Sequence, residues 1–112
     1  MSNPSKRKGD VAEREAAALL SDLLGFRVRR KLGAGRADDT GDLDGIPDTI
    51  VQVANYADWV RAMRIKPPAS EQQQSNAGAT FGVTAIRMPR GRWLFVMTPE
   101  QYATYVRESL DA

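Results

Sequence analysis

Three oxygen-bearing side chains lie at positions where they could hold a metal ion. Glu13 lies in the first turn of a predicted helix, Asp42 belongs to a short predicted strand, and Gln52 lies in a strand rich in β-branched residues. Carboxylate and amide oxygens are the ligands that hard divalent cations take in proteins. A Mg²⁺ ion held beside a phosphate ester could promote hydrolysis of that ester.

Asp44 is a further candidate ligand, because alternation along a strand puts it on the same face as Asp42. Each candidate also has a simpler structural explanation. Asp10 and Glu13 fit a helix capping box, and the two strand carboxylates fit a solvated acidic turn. Gln52 fits a sheet edge, although a buried Gln would need a hydrogen-bond partner or a ligand. The sequence leaves both kinds of explanation open.

The composition excludes several other kinds of site. The chain has 112 residues, of which 42% are hydrophobic and 27% are charged, as in a globular domain. It contains no Cys and no His, which excludes disulfides, thiolate sites, Cys nucleophiles and His general bases. The longest apolar runs have five residues, whereas a membrane span needs about 20. We therefore expect a cytoplasmic protein without a signal peptide or membrane contact.

The net charge of +2 hides an uneven pattern. Residues 1–36 have nine basic and four acidic side chains, residues 37–59 have six acidic and no basic ones, and residues 60–92 have six basic and one acidic. An acidic block between two basic blocks fits an ordinary mixed surface. It also fits a polyanion-binding surface around a carboxylate cluster that holds a cation, which is the combination a magnesium-dependent nuclease needs.

Apolar periodicity predicts one α/β or α+β domain at residues 10–112, preceded by a basic arm at residues 1–9. The predicted order is α-β-β-β-α-α-β-β-α. Pro67-Pro68 is expected to end the second helix, and Thr98, Pro99 and Gln101 predict the start of the last one. Predicted helices cover residues 10–24, 57–66, 70–76 and the segment after Thr98, and predicted strands cover residues 26–32, 41–46, 49–56, 80–88 and 93–97.

Together these features resemble the PD-(D/E)XK nuclease superfamily, and more narrowly the Holliday-junction resolvases of archaea and the resolvase-like proteins of actinobacterial phages. In that family a basic start, here Lys6-Arg7-Lys8-Gly9, leads into a helix that carries a Glu, here Glu13. Gly33-Ala34-Gly35 matches a Gly-rich loop, and Gly41-Asp42 matches the metal-binding Asp. Gln52-Val53-Ala54-Asn55 matches the E-x-K segment. In order and spacing the resemblance covers residues 5–100.

The resemblance implies a restriction-endonuclease-like fold with a central mixed β-sheet flanked by helices. It implies a Mg²⁺-dependent endodeoxyribonuclease, with Mn²⁺ as a substitute, in which Glu13, Asp42 and Gln52 are the catalytic and metal-binding residues. The implied substrate is branched DNA, above all the four-way junction of DNA recombination, cut by a homodimer. A phage protein of this kind would work in the cytoplasm of the host cell.

Two positions depart from the family pattern. Gln52 stands where the family has Glu, which leaves a neutral ligand with less charge stabilisation. Ala54 stands where the family has Lys, and loss of such an electrostatic group typically costs about 10²–10³ in rate. The site is therefore either rebuilt or decayed. A rebuilt site could take a cation from Lys31 or Lys66, or a polar group from residues 72–74.

The strand at residues 26–32 alternates apolar and basic residues, apart from Arg30, and predicts one cationic face. Three functions stay open: the endonuclease, a catalytically inactive branched-DNA-binding protein on the same fold, and an interaction protein without a nucleic-acid partner. A second basic cluster at residues 87, 90 and 92 fits either phosphate contact or plain solvation of a turn. The residues expected to contact DNA phosphates are Lys6, Arg7, Lys8, Arg27, Arg29, Lys31 and Arg36.

Overall fold

The computed structural model describes residues 4–31, 40–55 and 58–111, with side chains from residue 9 onward. Within these residues there are three α-helices, five β-strands and one 3₁₀ turn, which confirms the α+β class. In chain order the elements are α1 (Pro4–Leu24), β1 (Arg29–Arg30), β2 (Leu43–Asp44), β3 (Thr49–Ala54), α2 (Trp59–Ala77), β4 (Phe81–Met88), the 3₁₀ turn (Pro89–Gly91), β5 (Arg92–Val96) and α3 (Pro99–Leu110).

Strands β3, β4 and β5 form a mixed sheet in that order. β3 and β4 are parallel, with Gln52 opposite Thr84, and α2 makes the crossover between them. β5 returns antiparallel to β4 after the 3₁₀ turn. β1 and β2 form a separate antiparallel ladder in which Arg29 lies opposite Asp44. The fold thus contains a three-stranded mixed sheet and a separate two-stranded ladder, whose strands precede the mixed sheet in the chain.

The two faces of the mixed sheet bury different residues, because side chains alternate along a strand. Val51 lies in a cluster with Ala16 and its neighbours on α1. Ala54 and Ile86 lie in a second cluster with Ala62 of α2. Helices α1 and α2 therefore cover opposite faces of the sheet.

Helix α1 begins at Pro4, six residues earlier than predicted. Asp10 and Glu13 consequently lie inside the helix, so the capping-box interpretation of this pair is wrong. Residues 4–9, predicted as a separate arm, are the first turns of α1. The apolar stripe that predicted the helix starts only at Val11. The polar turns before it therefore gave no periodic signal.

Helix α2 continues through Pro67 and Pro68, where two separate helices were expected. A proline inside a helix lacks a backbone donor and costs about 3 kcal/mol. Residues on both sides of the prolines, Ala62, Ser70 and Gln73, are nevertheless buried. Packing of both halves against the sheet outweighs the local preference, and the observed order is α-β-β-β-α-β-β-α.

The start of α3 is as predicted, whereas β1 is shorter than predicted. Thr98 Oγ1 accepts a hydrogen bond from the Gln101 N–H at 3.2 Å, and Gln101 Oε1 accepts one from the Thr98 N–H at 3.1 Å. β1 starts only at Arg29, because the Val28 N–H donates to Ser21 Oγ of α1 at 2.8 Å instead of to a strand. In the described parts of the chain, no helix combines the length and apolar character needed to cross a bilayer.

Candidate active site

Arg30 connects two carboxylates of α1 to β1. Its Nη2 donates a hydrogen bond to Asp10 Oδ1 at 2.7 Å, and its Nε donates one to Glu13 Oε1 at 3.3 Å. All three side chains are largely buried. Sequence reasoning did not select Arg30 as a site residue. The one sequence signal for Arg30 is that it breaks the alternation of apolar and basic residues at positions 26–32. A basic residue at an apolar position of that alternation points to the opposite face of the strand from the other basic residues.

Glu13 lies close enough to Asp42 for their charges to interact. Burial raises the pKa of the Glu13 carboxyl, the Asp42 carboxylate raises it further, and the hydrogen bond from Arg30 opposes both effects. The ionised form of Glu13 is thus disfavoured by desolvation and by repulsion between two carboxylates. A divalent cation that contacts both residues would relieve the repulsion.

Asp42 is fixed at the point where β2 meets β3. Its backbone N–H donates to Val51 O at 2.9 Å, and its Oδ2 accepts from the Val53 N–H at 2.7 Å. Gly41 permits this close approach, since its φ is +96° and a Cβ there would lie 3.3 Å from Val51 O. The Gly41-Asp42 pair therefore delivers its carboxylate to the edge of β3.

Gln52 and Ala54 lie on the face of β3 that α2 covers. Gln52 is only 4% exposed, and its Oε1 accepts a hydrogen bond from Thr84 Oγ1 at 3.3 Å. Ala54 is 2% exposed and packs with Ala62 and Ile86. The structure brings Glu13 and Asp42 together, and it leaves the Gln52 side chain on the sheet face opposite α1. The partner that a buried Gln requires is Thr84.

Asp44 points to β1. Its Oδ2 lies 3.5 Å from Arg29 Nη2, and its Oδ1 accepts a hydrogen bond from the Gly45 N–H at 3.0 Å. Both side chains of this ion pair are more than half exposed, so the pair contributes at most about 1 kcal/mol. The two strand carboxylates thus have different neighbours, since Asp42 binds the edge of β3 and Asp44 binds a cation of β1.

Of the cations proposed to replace the family lysine, Lys31 lies beside Asp42, to whose backbone O its N–H donates at 2.9 Å, but its side chain is bound to another residue. Lys31 Nζ donates to Thr40 O at 2.9 Å and to Thr40 Oγ1 at 3.1 Å, two residues before Asp42. Lys66 and residues 72–74 lie in α2, which covers the face opposite α1. Among the described side chains, Arg30 is the cation that makes a hydrogen bond to Glu13.

A groove of about 470 Å³ lies between α1 and β1, next to the Glu13–Arg30 contact. Its lining combines apolar residues, Val28 among them, with four arginines, of which Arg30 is already paired with Asp10 and Glu13. Exposed arginines beside an apolar surface suit a nucleic-acid strand, because the guanidinium groups can bind its phosphates. The arginines that line the groove are Arg14, Arg27, Arg29 and Arg30.

The residues predicted to contact DNA are only partly described. Arg27 and Arg29 are exposed at the groove. Lys6, Arg7 and Lys8 belong to the first turns of α1, but their side chains, like the whole of Arg36, lie outside the described part of the structure. Arg14 was not predicted, because its place in a helix gave no strand-like alternation to mark it.

Glu13 and Asp42 would supply two carboxylates to a Mg²⁺ ligand shell. Mg²⁺ is usually bound by one or two carboxylates, with water and substrate phosphate completing the octahedron. Over residues 4–31, 40–55 and 58–111, no three His, Cys, Asp or Glu residues come together in a group that could hold a metal ion. The remaining ligands would therefore be water molecules and phosphate oxygens.

Comparison with known proteins identifies no relative of this chain. It matches no protein-family model, no curated protein and no solved structure.

Proposed function

We propose that the protein is a Mg²⁺-dependent, structure-selective DNA endonuclease of the Holliday-junction resolvase type. The observation that carries the proposal is the proximity of Glu13 and Asp42. These are the two carboxylates that the family pattern selects: Glu13 belongs to α1, and Asp42 directly precedes β2 and binds the edge of β3. The arginine-lined groove beside them supports a polyanionic substrate.

Each residue of the site has a distinct task in this proposal. Glu13 and Asp42 would hold Mg²⁺, which when bound supplies Lewis-acid activation of water and stabilises charge on the phosphate. The Val53 N–H orients the Asp42 carboxylate. Arg30 orients Glu13 and supplies a fixed positive charge, which offsets part of what Ala54 lacks. Arg27 and Arg29 would bind phosphates beside the scissile one.

The substrate we propose is a four-way DNA junction, and the acting species is a homodimer. A two-fold branched substrate matches a pair of identical sites, with one cut for each subunit. Mn²⁺ is expected to substitute for Mg²⁺, because the ligand set is made of hard oxygens.

A branched-DNA-binding protein that does not cut is the second candidate, and the contacts of residues 52 and 54 favour it. The Gln52 amide is bound to Thr84 and nearly inaccessible. Ala54 is enclosed by α2 and β4, so no ammonium group reaches the site from that position. In this candidate the groove binds phosphates, and Mg²⁺ binds in the millimolar range or more weakly.

Cleavage of a labelled four-way junction, beside a duplex of matched sequence, tests the proposal. We expect cutting of the junction in Mg²⁺ and in Mn²⁺, and none in EDTA. Asp42→Ala should abolish it, because Asp42 supplies one of two carboxylates. Asp44→Ala is the matched control and should cut normally, because Asp44 contacts Arg29 at the surface.

The outcomes separate the two candidates. Junction binding with no cutting under either metal would establish the binding protein. Absence of both binding and cutting would overturn the two proposals together. Loss of cutting in Asp44→Ala as well as in Asp42→Ala would show that the metal shell extends to Asp44.

A further inference from the structure

Arg90 has a backbone conformation that favours glycine. It is the middle residue of the Pro89–Gly91 turn between β4 and β5, with φ +66° and ψ +30°. In the left-handed region the Cβ of an ordinary residue crowds the backbone, so glycine or asparagine is usually found there. Gly91 follows directly, also at positive φ. An arginine is thus kept at a turn position where glycine would be easier to accommodate.

No hydrogen bond or ion pair with a described residue compensates for this backbone conformation of Arg90. The Arg90 side chain is exposed, as is that of Arg92, and neither takes part in a hydrogen bond or ion pair within the described part of the protein. Arg87 differs, since it donates to both carboxylate oxygens of Glu15 at 2.7 and 3.0 Å. The basic cluster of the hairpin therefore divides into one structural arginine and two arginines that project into solvent.

The end of β4 that leads into the hairpin adjoins the part of α1 that carries Glu13. The Arg87–Glu15 ion pair joins the end of β4 to α1, and Glu15 is two residues from Glu13, a rise of about 3 Å along the helix. Val53, whose N–H binds the Asp42 carboxylate, lies opposite Ala85 of β4. Ala85 is three residues from the end of β4 at Met88, or about 10 Å along the strand. That is roughly the length of three nucleotides at 3.4 Å each along a duplex.

We propose that Arg90 and Arg92 form a second phosphate-binding element, which holds the DNA backbone a few nucleotides away from the Glu13–Asp42 site. A strained residue without an internal partner is explained when its side chain is needed by an external one. The choice of DNA as the polyanion rests on the proposed function. Arg14 lines the groove and the next residue, Glu15, binds Arg87 of β4, so the groove and the hairpin strand both adjoin the same turn of α1.

Arg90→Gly tests this inference, because glycine removes the charge and relieves the backbone at once. We expect the variant to bind duplex and junction DNA about fivefold more weakly at low salt. The slope of log K against log salt should become shallower by about 0.9, as for one lost phosphate contact. Its Tm should be equal to or higher than that of the unchanged protein. Arg90→Lys, which keeps the charge, should retain most of the affinity.

Arg107→Gln is the matched control. Arg107 is an exposed arginine of α3, whose Tyr105 stacks on Phe81 at the opposite end of β4 from the tip. The Arg107→Gln variant should bind DNA with unchanged affinity and with an unchanged slope of log K against log salt. If the unchanged protein binds DNA with a clear salt dependence but Arg90→Gly binds identically, the inference fails and the proposed function stands. If the unchanged protein shows no salt-dependent binding to DNA, the proposed function itself fails.

Discussion

Asp42 Oδ2 accepts a 2.7 Å hydrogen bond from the backbone N–H of Val53. Two residues earlier in β3, Val51 O accepts from the Asp42 N–H at 2.9 Å. The Asp42 side chain thus continues the ladder of hydrogen bonds where the backbones of β2 and β3 separate. The carboxylate that we assign to Mg²⁺ is consequently oriented before any metal arrives, which lowers the entropy cost of forming the site.

The Asp42–Val53 hydrogen bond predicts different results for two substitutions. Asp42→Asn keeps an oxygen acceptor for the Val53 N–H but loses the charge, so we expect near-normal Tm and loss of cleavage. Asp42→Ala leaves that N–H without its acceptor and should lower the free energy of unfolding by about 1–3 kcal/mol. Thermal denaturation and junction cleavage check the two effects separately. Equal Tm values for the two variants would contradict a structural role for this hydrogen bond.

The raised pKa of Glu13 predicts a pH-dependent stability. The folded protein binds this proton more readily than the unfolded chain. The resulting stability is complete below the ordinary value of 4.5 and is lost as pH rises through the higher folded-state pKa. The Glu13→Gln variant keeps this stability. The Tm of the variant minus that of the unchanged protein should therefore grow as pH rises from 4.5 through the folded-state pKa of Glu13, while cleavage is abolished.

Asp22→Asn provides the control for the pH prediction, since Asp22 is an exposed carboxylate of the same helix. Its Tm should follow that of the unchanged protein at every pH. A Glu13→Gln difference that stays flat or shrinks as pH rises would show that Glu13 is not disfavoured as an anion in the folded protein.

Ala54→Lys should destabilise the protein instead of restoring a family-like site. Ala54 packs against Ala62 and Ile86 and has almost no exposed surface. Extra methylenes in a packed core typically cost about 1–3 kcal/mol, and a buried ammonium adds to this. We expect a clear drop in Tm and no gain in cleavage rate. Ala69→Lys, at an exposed position of α2, is the control and should leave Tm and cleavage rate unchanged. If the cleavage rate of Ala54→Lys instead rose by about 10²-fold or more, the lysine would reach the site.

The arginine groove predicts the salt dependence of DNA binding. The double variant Arg27→Gln, Arg29→Gln should make the log–log slope shallower by about 1.8, at 0.9 for each phosphate contact. Its Tm should change little, because the one ion pair that these two arginines form with described residues is the exposed one to Asp44. Fluorescence anisotropy between about 50 and 200 mM salt measures the slope.

Lys31→Met is the informative comparison for the groove variants. Lys31 was predicted to contact phosphate, but its Nζ is bound to Thr40 O and Oγ1. We expect this variant to lose about 1–2 kcal/mol of stability with little change in slope. Normal stability together with a shallower slope would instead show that Lys31 contacts a DNA phosphate.

The sequence by itself determined the features that depend on neighbouring residues. The start of α3 follows from Thr98, Pro99 and Gln101, whose groups bond to one another within a single turn. The turn residues Pro89-Arg90-Gly91 and the segments on either side of them predicted the strand pair that contains β4, and β4 is buried without a break from Gly82 to Ile86. The sequence also selected Glu13 and Asp42, since both residue type and spacing are local properties.

Only the tertiary structure decided which groups meet. Arg30 binds Glu13 across 17 residues, and Thr84 binds Gln52 across 32, so no local pattern could assign either partner. The same holds for α2, where burial of residues on both sides of Pro67 and Pro68 overrides a strong local helix stop. Adjacent residues determine local features such as the start of a helix. The packing of elements that lie far apart in the chain determines which face of a strand a side chain occupies and which group it binds.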